Sequence, residues 1–360
     1  MIDKEHMRLA LQMARQTKGQ TSPNPVVGAV VVKNGRVCGF GAHLRAGEEH
    51  AEVHALNMAG DEADGATIYV TLEPCSHYGK TPPCADLIIE KNIKRAVIAT
   101  EDPNPEVAGT GIQKLKDAGI EVSVGIEREA ANWLNRYFFH YIRTNIPYVT
   151  LKTAASLDGK TATKTGESKW ITGEQARDDG HILRHEHDAI LVGVNTVLED
   201  DPSLTARAYN GGIHPVRIIL DHHLKTPVHA NMLRDKKAPV WIICSPEAES
   251  SRRKQLEQAG AKLFPVSAAI DIHEVLQLLG SLKIQSLYVE GGASVHGSFL
   301  EAGAFQEVVS YLAPKLIGGH SAPSVIAGNG IRAMSDVSEL EIVTLEQLGS
   351  DIKIVAVPKK

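Results

Sequence analysis

Apolar positions along this 360-residue chain switch between helical and strand periods many times. Met7, Ala10, Leu11 and Ala14 share one helical face, so an amphipathic helix opens the chain. Thr21 to Pro25 reads as a turn. Val26 to Lys33 and Arg36 to Ala42 flank Asn34-Gly35, the strongest short hairpin signal. A helix over 51–59, a strand over 68–72, a helix over 85–91, a strand over 94–100, a helix near 111–118 and a strand over 120–124 follow. That order predicts a three-layer α/β domain. Residues 127–144 read as one longer helix with Leu134, Phe138 and Tyr141 on one face, and Asn145-Ile146-Pro147 breaks it. A domain boundary is expected there, giving a first domain over residues 1–146 and a second over 147–360.

In the second half, strands are expected at 148–154, 189–194, 216–221, 240–244, 262–266, 286–290 and 307–312. Helical patterns over 174–185, 249–259 and 273–279 lie between them. Such alternation predicts a mainly parallel sheet with crossover helices. Residues 342–345 and 351–357 read as a closing antiparallel pair. The length fits two domains, and neither an internal repeat nor a low-complexity tract interrupts the pattern.

Composition narrows the function. The net charge of −5 and the few aromatics argue against a nucleic-acid binder, which carries a basic stripe. Four cysteines, Cys38, Cys75, Cys84 and Cys244, make no disulfide framework and fit a reducing compartment. The N-terminus is charged, and no apolar run approaches a membrane span. A cytoplasmic protein without membrane contact is expected.

The chemistry concentrates between His50 and Cys84. One imidazole and two thiols, Cys75 and Cys84, offer three ligands suited to zinc and leave a fourth position for water, the arrangement of a catalytic site. Bound zinc lowers the pKa of that water. Glu52, two residues after His50, is placed to carry protons. The zinc deaminases of bases and nucleosides combine His/Cys/Cys zinc with a non-ligand Glu in H-x-E followed by P-C. Two alternatives stand beside this. His50 and His54 are one helical turn apart, but a zinc protease needs H-E-x-x-H. A closed structural zinc would recruit His54 or His77 as fourth ligand. The eight residues between the cysteines also depart from the two of the general deaminase pattern.

In the second half, Tyr288 to Gly297 runs from a strand through Glu290-Gly291-Gly292 into a helix. Taken alone, it reads equally as a tight turn or a phosphate cradle, and it is neither a dinucleotide fingerprint nor a P-loop. The stretch from Gly193 to Arg207 follows another strand end and could line a cleft. Lys152, Ser168, Arg184 and Arg207, taken singly, read as solvated surface residues.

Together these motifs carry a resemblance. Asn24-Pro25-Val26-Val27-Gly28-Ala29-Val30, His43, His50-Ala51-Glu52, Glu73-Pro74-Cys75, Gly79-Lys80-Thr81-Pro82-Pro83-Cys84 and Asp102-Pro103-Asn104-Pro105 resemble the deaminase half of the bifunctional riboflavin-biosynthesis deaminase–reductases, including the wide cysteine spacing. Leu151-Lys152, Ser156-Leu157-Asp158-Gly159-Lys160, Ser168-Lys169-Trp170-Ile171-Thr172, the Gly193–Arg207 stretch and Val289-Glu290-Gly291-Gly292 resemble that family's reductase half. After Asp221 the family has Ser or Thr near the cofactor, whereas this chain has His222, a departure that puts a cofactor role there in doubt.

The resemblance implies a cytidine-deaminase-like α/β/α domain followed by a dihydrofolate-reductase-like α/β domain. It implies a small pyrimidine ribosyl phosphate as substrate, zinc and NADPH as cofactors, and a homo-oligomer. Zinc would sit on His50, Cys75 and Cys84, with Glu52 as the proton carrier. Asn24, His43, His77, Lys80 and Asn104 would contact substrate in the first half. In the second, Ala154, Trp170, Thr172, Thr196, Asp200, Gly292, Ala293, Ser294, Val295, His296, Gly297 and Ser298 would contact NADPH. Lys152, Ser168, Arg184, Leu204, Arg207 and Glu290 would contact substrate there.

Overall fold

The computed structural model describes residues 2–77, 82–104, 107–208, 211–267 and 269–359. The chain divides into two compact units, residues 1–145 and 146–360.

In the first unit the elements run α1 (Ile2–Arg15), β1 (Gly28–Lys33), β2 (Arg36–Ala42), α2 (Ala51–Ala59), β3 (Thr67–Val70), α3 (Cys84–Glu90), β4 (Arg95–Ile98), α4 (Thr110–Asp117), β5 (Glu121–Val124), α5 (Arg128–Leu134) and α6 (Arg136–Thr144). The sheet order is β2-β1-β3-β4-β5, with β1 antiparallel to β2 and β3, and β3, β4 and β5 parallel. Period-two alternation builds both faces. Ala29 and Val31 pack under Ala51, Ala55 and Leu56 of α2 and Ala85 and Ile88 of α3. Val30 and Val32 turn the other way, onto Met7 and Ala10 of α1 and Ala131 of α5. Asn34 and Gly35 both take positive φ, as a two-residue hairpin turn of matching twist requires.

Two expectations change here. The first strand starts at Gly28 instead of Val26, because both backbone groups of Val26 bond to the side chain of Asn135, at 2.9 Å each. The same residue interrupts the expected single helix over 127–144. Asn135 leaves helical geometry at φ −101°, ψ 19°, so α5 and α6 are separate, and its buried amide faces the chain at Val26. Asn145, in the left-handed region, ends α6.

In the second unit the elements run β6 (Tyr148–Ser156), α7 (Glu174–Glu186), β7 (Ala189–Gly193), α8 (Val194–Asp200), β8 (Val216–Leu220), α9 (Asn231–Arg234), β9 (Val240–Cys244), α10 (Ser250–Gln258), β10 (Ala261–Pro265), α11 (Ile272–Ser281), β11 (Ser286–Val289), α12 (Ala293–Glu301), β12 (Glu307–Ala313), β13 (Leu340–Leu348) and β14 (Asp351–Pro358). The sheet order is β10-β9-β8-β7-β11-β6-β12-β14-β13. From β10 to β12 neighbours are parallel; β14 and β13 close the edge antiparallel. One face of the central strands is apolar, with Val149, Leu151, Ala189, Leu191, Ile218, Leu287 and Val289 packed with α11 and α12, whereas the other carries buried polar side chains such as Thr150 and Arg217. The short α9 is absent from the sequence reading.

Candidate active sites

Parallel strands β3 and β4 end on the side of the sheet where α/β proteins carry their sites. His50 caps the start of α2 with extended backbone, φ −78° and ψ 165°. It therefore escapes the roughly 200° separation from Glu52 that a continuous helix would impose. Cys84 is the first residue of α3, after Pro83, and its backbone N–H donates to Cys75 Sγ at 3.3 Å. His50 Nδ1 lies 3.6 Å from Cys75 Sγ and 3.3 Å from Cys84 Sγ, and all three donor atoms fall within 4.8 Å of one another. Tetrahedral zinc geometry, with metal–nitrogen near 2.0–2.1 Å and metal–sulfur near 2.3 Å, separates N and S by about 3.5 Å. The donor set fits zinc. Among the described residues no fourth donor joins the cluster. His54 instead turns Nδ1 toward Glu49, 3.8 Å away. Hydrogen bonding with Cys84 and His50 outweighs burial and holds the Cys75 thiol well below its usual range.

Glu52 is buried against the Cys84 thiol, and its Oε2 has no hydrogen-bond partner among the described residues. Burial pushes its carboxyl up to about 7. It opens, with His50 and Cys75, onto a cavity of about 460 Å³. Asn24, His43, His77 and Asn104 line the same cavity, so four of the five expected substrate residues come together; Lys80 lies outside the described residues. His43 Nδ1 faces the Glu49 carbonyl at 3.1 Å and its Nε2 faces Asn24 Nδ2 at 3.1 Å. Burial lowers the His43 pKa, so the ring is neutral: Nδ1–H donates to the carbonyl and Nε2 accepts from Asn24, fixing that amide's orientation.

Glu73, Asp102 and Phe138 also line the cavity; the sequence reading names them in motifs or on a helix face but gives them no place in the site. Glu73 is buried and accepts four backbone N–H bonds, from Asp102 at 3.2 Å, Gly109 at 3.0 Å, Gly111 at 2.9 Å and Ile112 at 3.1 Å. It satisfies the start of α4 and ties the Cys75 loop to the wall bearing Asn104. A Cβ on Gly111 would stand 2.0 Å from the Pro74 carbonyl, so only glycine permits this approach. The one signal in the sequence was a carboxylate beside a metal ligand.

In the second unit, the register of β6 with β11 sets Leu151 against Val289 and so brings Lys152 beside Glu290. Lys152 Nζ donates to Glu290 Oε1 at 2.7 Å, and Arg184 Nε and Nη2 donate to Oε2 at 2.8 and 2.7 Å. Burial raises the Glu290 pKa, yet Arg184 and Lys152 outweigh it and hold the carboxyl at about 2. Arg184 Nη1 reaches the Thr205 carbonyl at 3.3 Å, next to buried Leu204, which adopts φ 50°. Arg207 meets His181, whose Nε2 is 2.8 Å from Arg207 Nη2. His181 was not anticipated. Ser168 is half-buried in the loop before α7, and nothing draws it into this cluster.

The expected cofactor residues divide. Ala154 lies on β6, and Thr172 is buried beside exposed Trp170, which stacks on Arg177. Adjacent parallel strands β7 and β11 deliver Gly193 and Gly292 as the caps of α8 and α12. A Cβ on Gly292 would meet only Thr196 Oγ1, at 3.9 Å, leaving room above the first N–H groups of α12. That opening, with Thr196 beside it, fits a dinucleotide phosphate. Ala293, Ser294 and Val295 form the first turn. His296 is buried with its ring nitrogens 3.1 Å from Val325 O and 3.4 Å from Val289 O, so its side chain faces the protein. A Cβ on Gly297 would stand 1.8 Å from Ala327 O, so this glycine serves packing against 325–328. Ser298 is exposed and bonds back to Ser294 O within the helix. His222 stacks edge-on to His223 at the end of β8.

Comparisons with known proteins agree with both sites. Residues 1–100 match the model of the cytidine and deoxycytidylate deaminase zinc-binding region, and residues 147–354 match the RibD C-terminal domain. The riboflavin biosynthesis protein RibD of Bacillus amyloliquefaciens is 55% identical, with 99% of this chain and 97% of that protein covered. The Escherichia coli protein of the same name is 41% identical over 98% of each. Among solved structures, Acinetobacter baumannii RibD superposes with a TM-score of 0.90 at 39% identity, covering 100% of this chain and 99% of that one. A Thermotoga maritima diaminohydroxyphosphoribosylaminopyrimidine deaminase/5-amino-6-(5-phosphoribosylamino)uracil reductase does so with a TM-score of 0.88 at 36% identity, covering 99% of each. On this full-length likeness, the chain belongs to the RibD family of bifunctional riboflavin-biosynthesis enzymes, which join a zinc-binding deaminase domain to an NADPH-dependent reductase domain.

Proposed function

We propose that residues 1–146 deaminate 2,5-diamino-6-ribosylamino-4(3H)-pyrimidinone 5′-phosphate, and that residues 147–360 reduce the ribosyl group of the resulting 5-amino-6-(5-phosphoribosylamino)uracil to ribityl. The observation carrying the reading is the convergence of His50, Cys75 and Cys84 beside buried Glu52, whose Oε2 has no partner among the described residues, on a cavity holding Asn24, His43, His77 and Asn104.

His50 Nδ1, Cys75 Sγ and Cys84 Sγ would hold zinc, which would supply a Lewis acid able to acidify water. Glu52 takes one proton from the attacking water and passes it to the ring nitrogen, then takes the second proton from the same oxygen and passes it to the departing amine. A carboxyl raised to about 7 by burial suits both directions of transfer near neutral pH. Asn24, oriented by His43, holds the base or ribose, while His77, Asn104 and Lys80 serve the mouth of the pocket.

Ala154, Trp170, Thr172, Thr196, Asp200 and the turn opening α12 would hold NADPH, which would supply the hydride. Lys152 and Glu290 anchor the sugar side, and Ser168 and Leu204 border it. Arg184 and Arg207 offer guanidinium forks to the phosphate.

The same reading includes a homo-oligomer. Its support is β13, an edge strand exposed along nearly its whole length and carrying Ile342, Val343 and Leu345. Sedimentation of the full chain as a single 38.9 kDa species would exclude it. Among the described residues no helix is long and apolar enough to cross a membrane. A cytoplasmic site of action follows from the need to keep Cys75 and Cys84 reduced, and finding the protein in an exported fraction would count against it.

The test of the whole reading is incubation with the pyrimidine phosphate, with and without NADPH, and identification of products by mass. Without NADPH the deaminated ribosyl compound and ammonia are expected; with it, the ribityl product. Absence of ammonia release by the zinc-loaded protein overturns the deaminase half, and absence of ribityl product overturns the reductase half.

A further inference from the structure

His181 lies on α7, one turn before Arg184. Its Nδ1 is 3.2 Å from the Thr205 carbonyl and, in a longer and weaker contact, 3.5 Å from Arg184 Nη1, and its Nε2 is 2.8 Å from Arg207 Nη2. A carbonyl only accepts, so Nδ1 carries the proton. A guanidinium only donates, so Nε2 offers its lone pair. Both bonds exist together only in the neutral ring. Burial, together with the charges of Arg184 and Arg207, lowers the ring's pKa to about 4 and keeps it neutral.

The charges around the ring are unequal. Glu290 takes Lys152 and Arg184 in short ion pairs. Among the described residues Arg207 has no carboxylate partner, and its polar contact is with His181. An exposed arginine otherwise samples many rotamers and loses that freedom when it grips an anion. Held beforehand by a neutral acceptor, it keeps its full charge for the ligand.

We infer that His181 is a positioning residue of the reductase unit, which orients the Arg207 guanidinium toward the substrate's phosphate without touching the substrate. The inference rests on the reading that Arg207 binds that phosphate.

Steady-state reduction of the deaminated substrate by the full-length protein, at saturating NADPH, tests both statements. His181→Ala is expected to raise the substrate KM about tenfold, the loss of one bond to a charged group, with kcat unchanged. His181→Gln is expected to restore the parent KM, because its amide can donate to Thr205 O and accept from Arg207. His181→Ala added to Arg207→Ala is expected to change nothing further, since no guanidinium remains to orient. Should the alanine variant not fold, His181→Asn, too short to span both partners, takes its place with the same expectation. If Arg207→Ala leaves KM unchanged, the phosphate reading fails. If Arg207→Ala raises KM but the His181 variants do not, or raise it equally in the Arg207→Ala background, the positioning role fails and the phosphate reading stands.

Discussion

At the scale of single residues, Glu52 separates two roles that a carboxylate beside a metal can play. It stands outside the converging donor atoms and is buried with Oε2 unpaired. Glu52→Gln is therefore expected to keep the parent zinc content while ammonia release falls by about 10²–10⁴-fold. Reduction of already deaminated substrate by NADPH should continue. Metal analysis beside the two assays checks this, and loss of zinc would make Glu52 a ligand. Glu290 offers a pH test. Its carboxyl falls from an ordinary 4.5 to about 2 in the folded chain, so on acidification the unfolded chain takes the proton first. Its stabilisation is present above about pH 4.5 and lost as pH falls toward 2. Glu290→Gln should lower the Tm of the second unit at neutral pH, leave two cations unpaired, and flatten the acid limb of Tm against pH. An unchanged limb would mean that the carboxylate does not hold these cations. The zinc ligands were legible in the sequence because donor chemistry belongs to the residue type. His181 was not, because its role depends on a tautomer set by a carbonyl in a distant loop.

At the scale of elements, strand periods and the Asn-Gly hairpin were legible because they are local. The length of the helix after residue 127 was not. Its apolar face continues through the break, and the force that divides it acts across more than a hundred residues, from the Asn135 amide to Val26. The same bonds hold the segment carrying Asn24, Pro25 and Val27 against the cavity. Asn135→Ala leaves the Val26 N–H and C=O without their partner and is expected to cost about 2–4 kcal/mol. It should also raise the KM for deamination, because Asn24 loses its support. Thermal unfolding and deamination kinetics check the two effects, and a stability loss without a KM change would confine Asn135 to the scaffold. Glu73 shows the complementary limit: a sequence displays the carboxylate but not the four amides folded around it.

At the scale of the molecule, alternation of strands and helices made two α/β units legible, and the break before Pro147 made their junction so. Residues 1–146 contain every described residue that lines the cavity beside His50 and Cys75. Expressed alone they are expected to fold, bind zinc and release ammonia from the pyrimidine phosphate. A folded, zinc-loaded fragment without activity would show that an oligomer or the second half completes the site. Strand order was not legible, because register and neighbour choice are set by packing across the whole sheet. That order also has a bearing on biosynthesis. β6 and β7 are consecutive strands, yet β11, made about a hundred residues later, is the strand between them. As the chain leaves the ribosome, the first unit has all its strands by residue 124, whereas the centre of the second sheet stays open until residue 289. The reductase half therefore passes through a longer interval with unpaired apolar strands, which places its synthesis, more than that of its neighbour, in the care of chaperones.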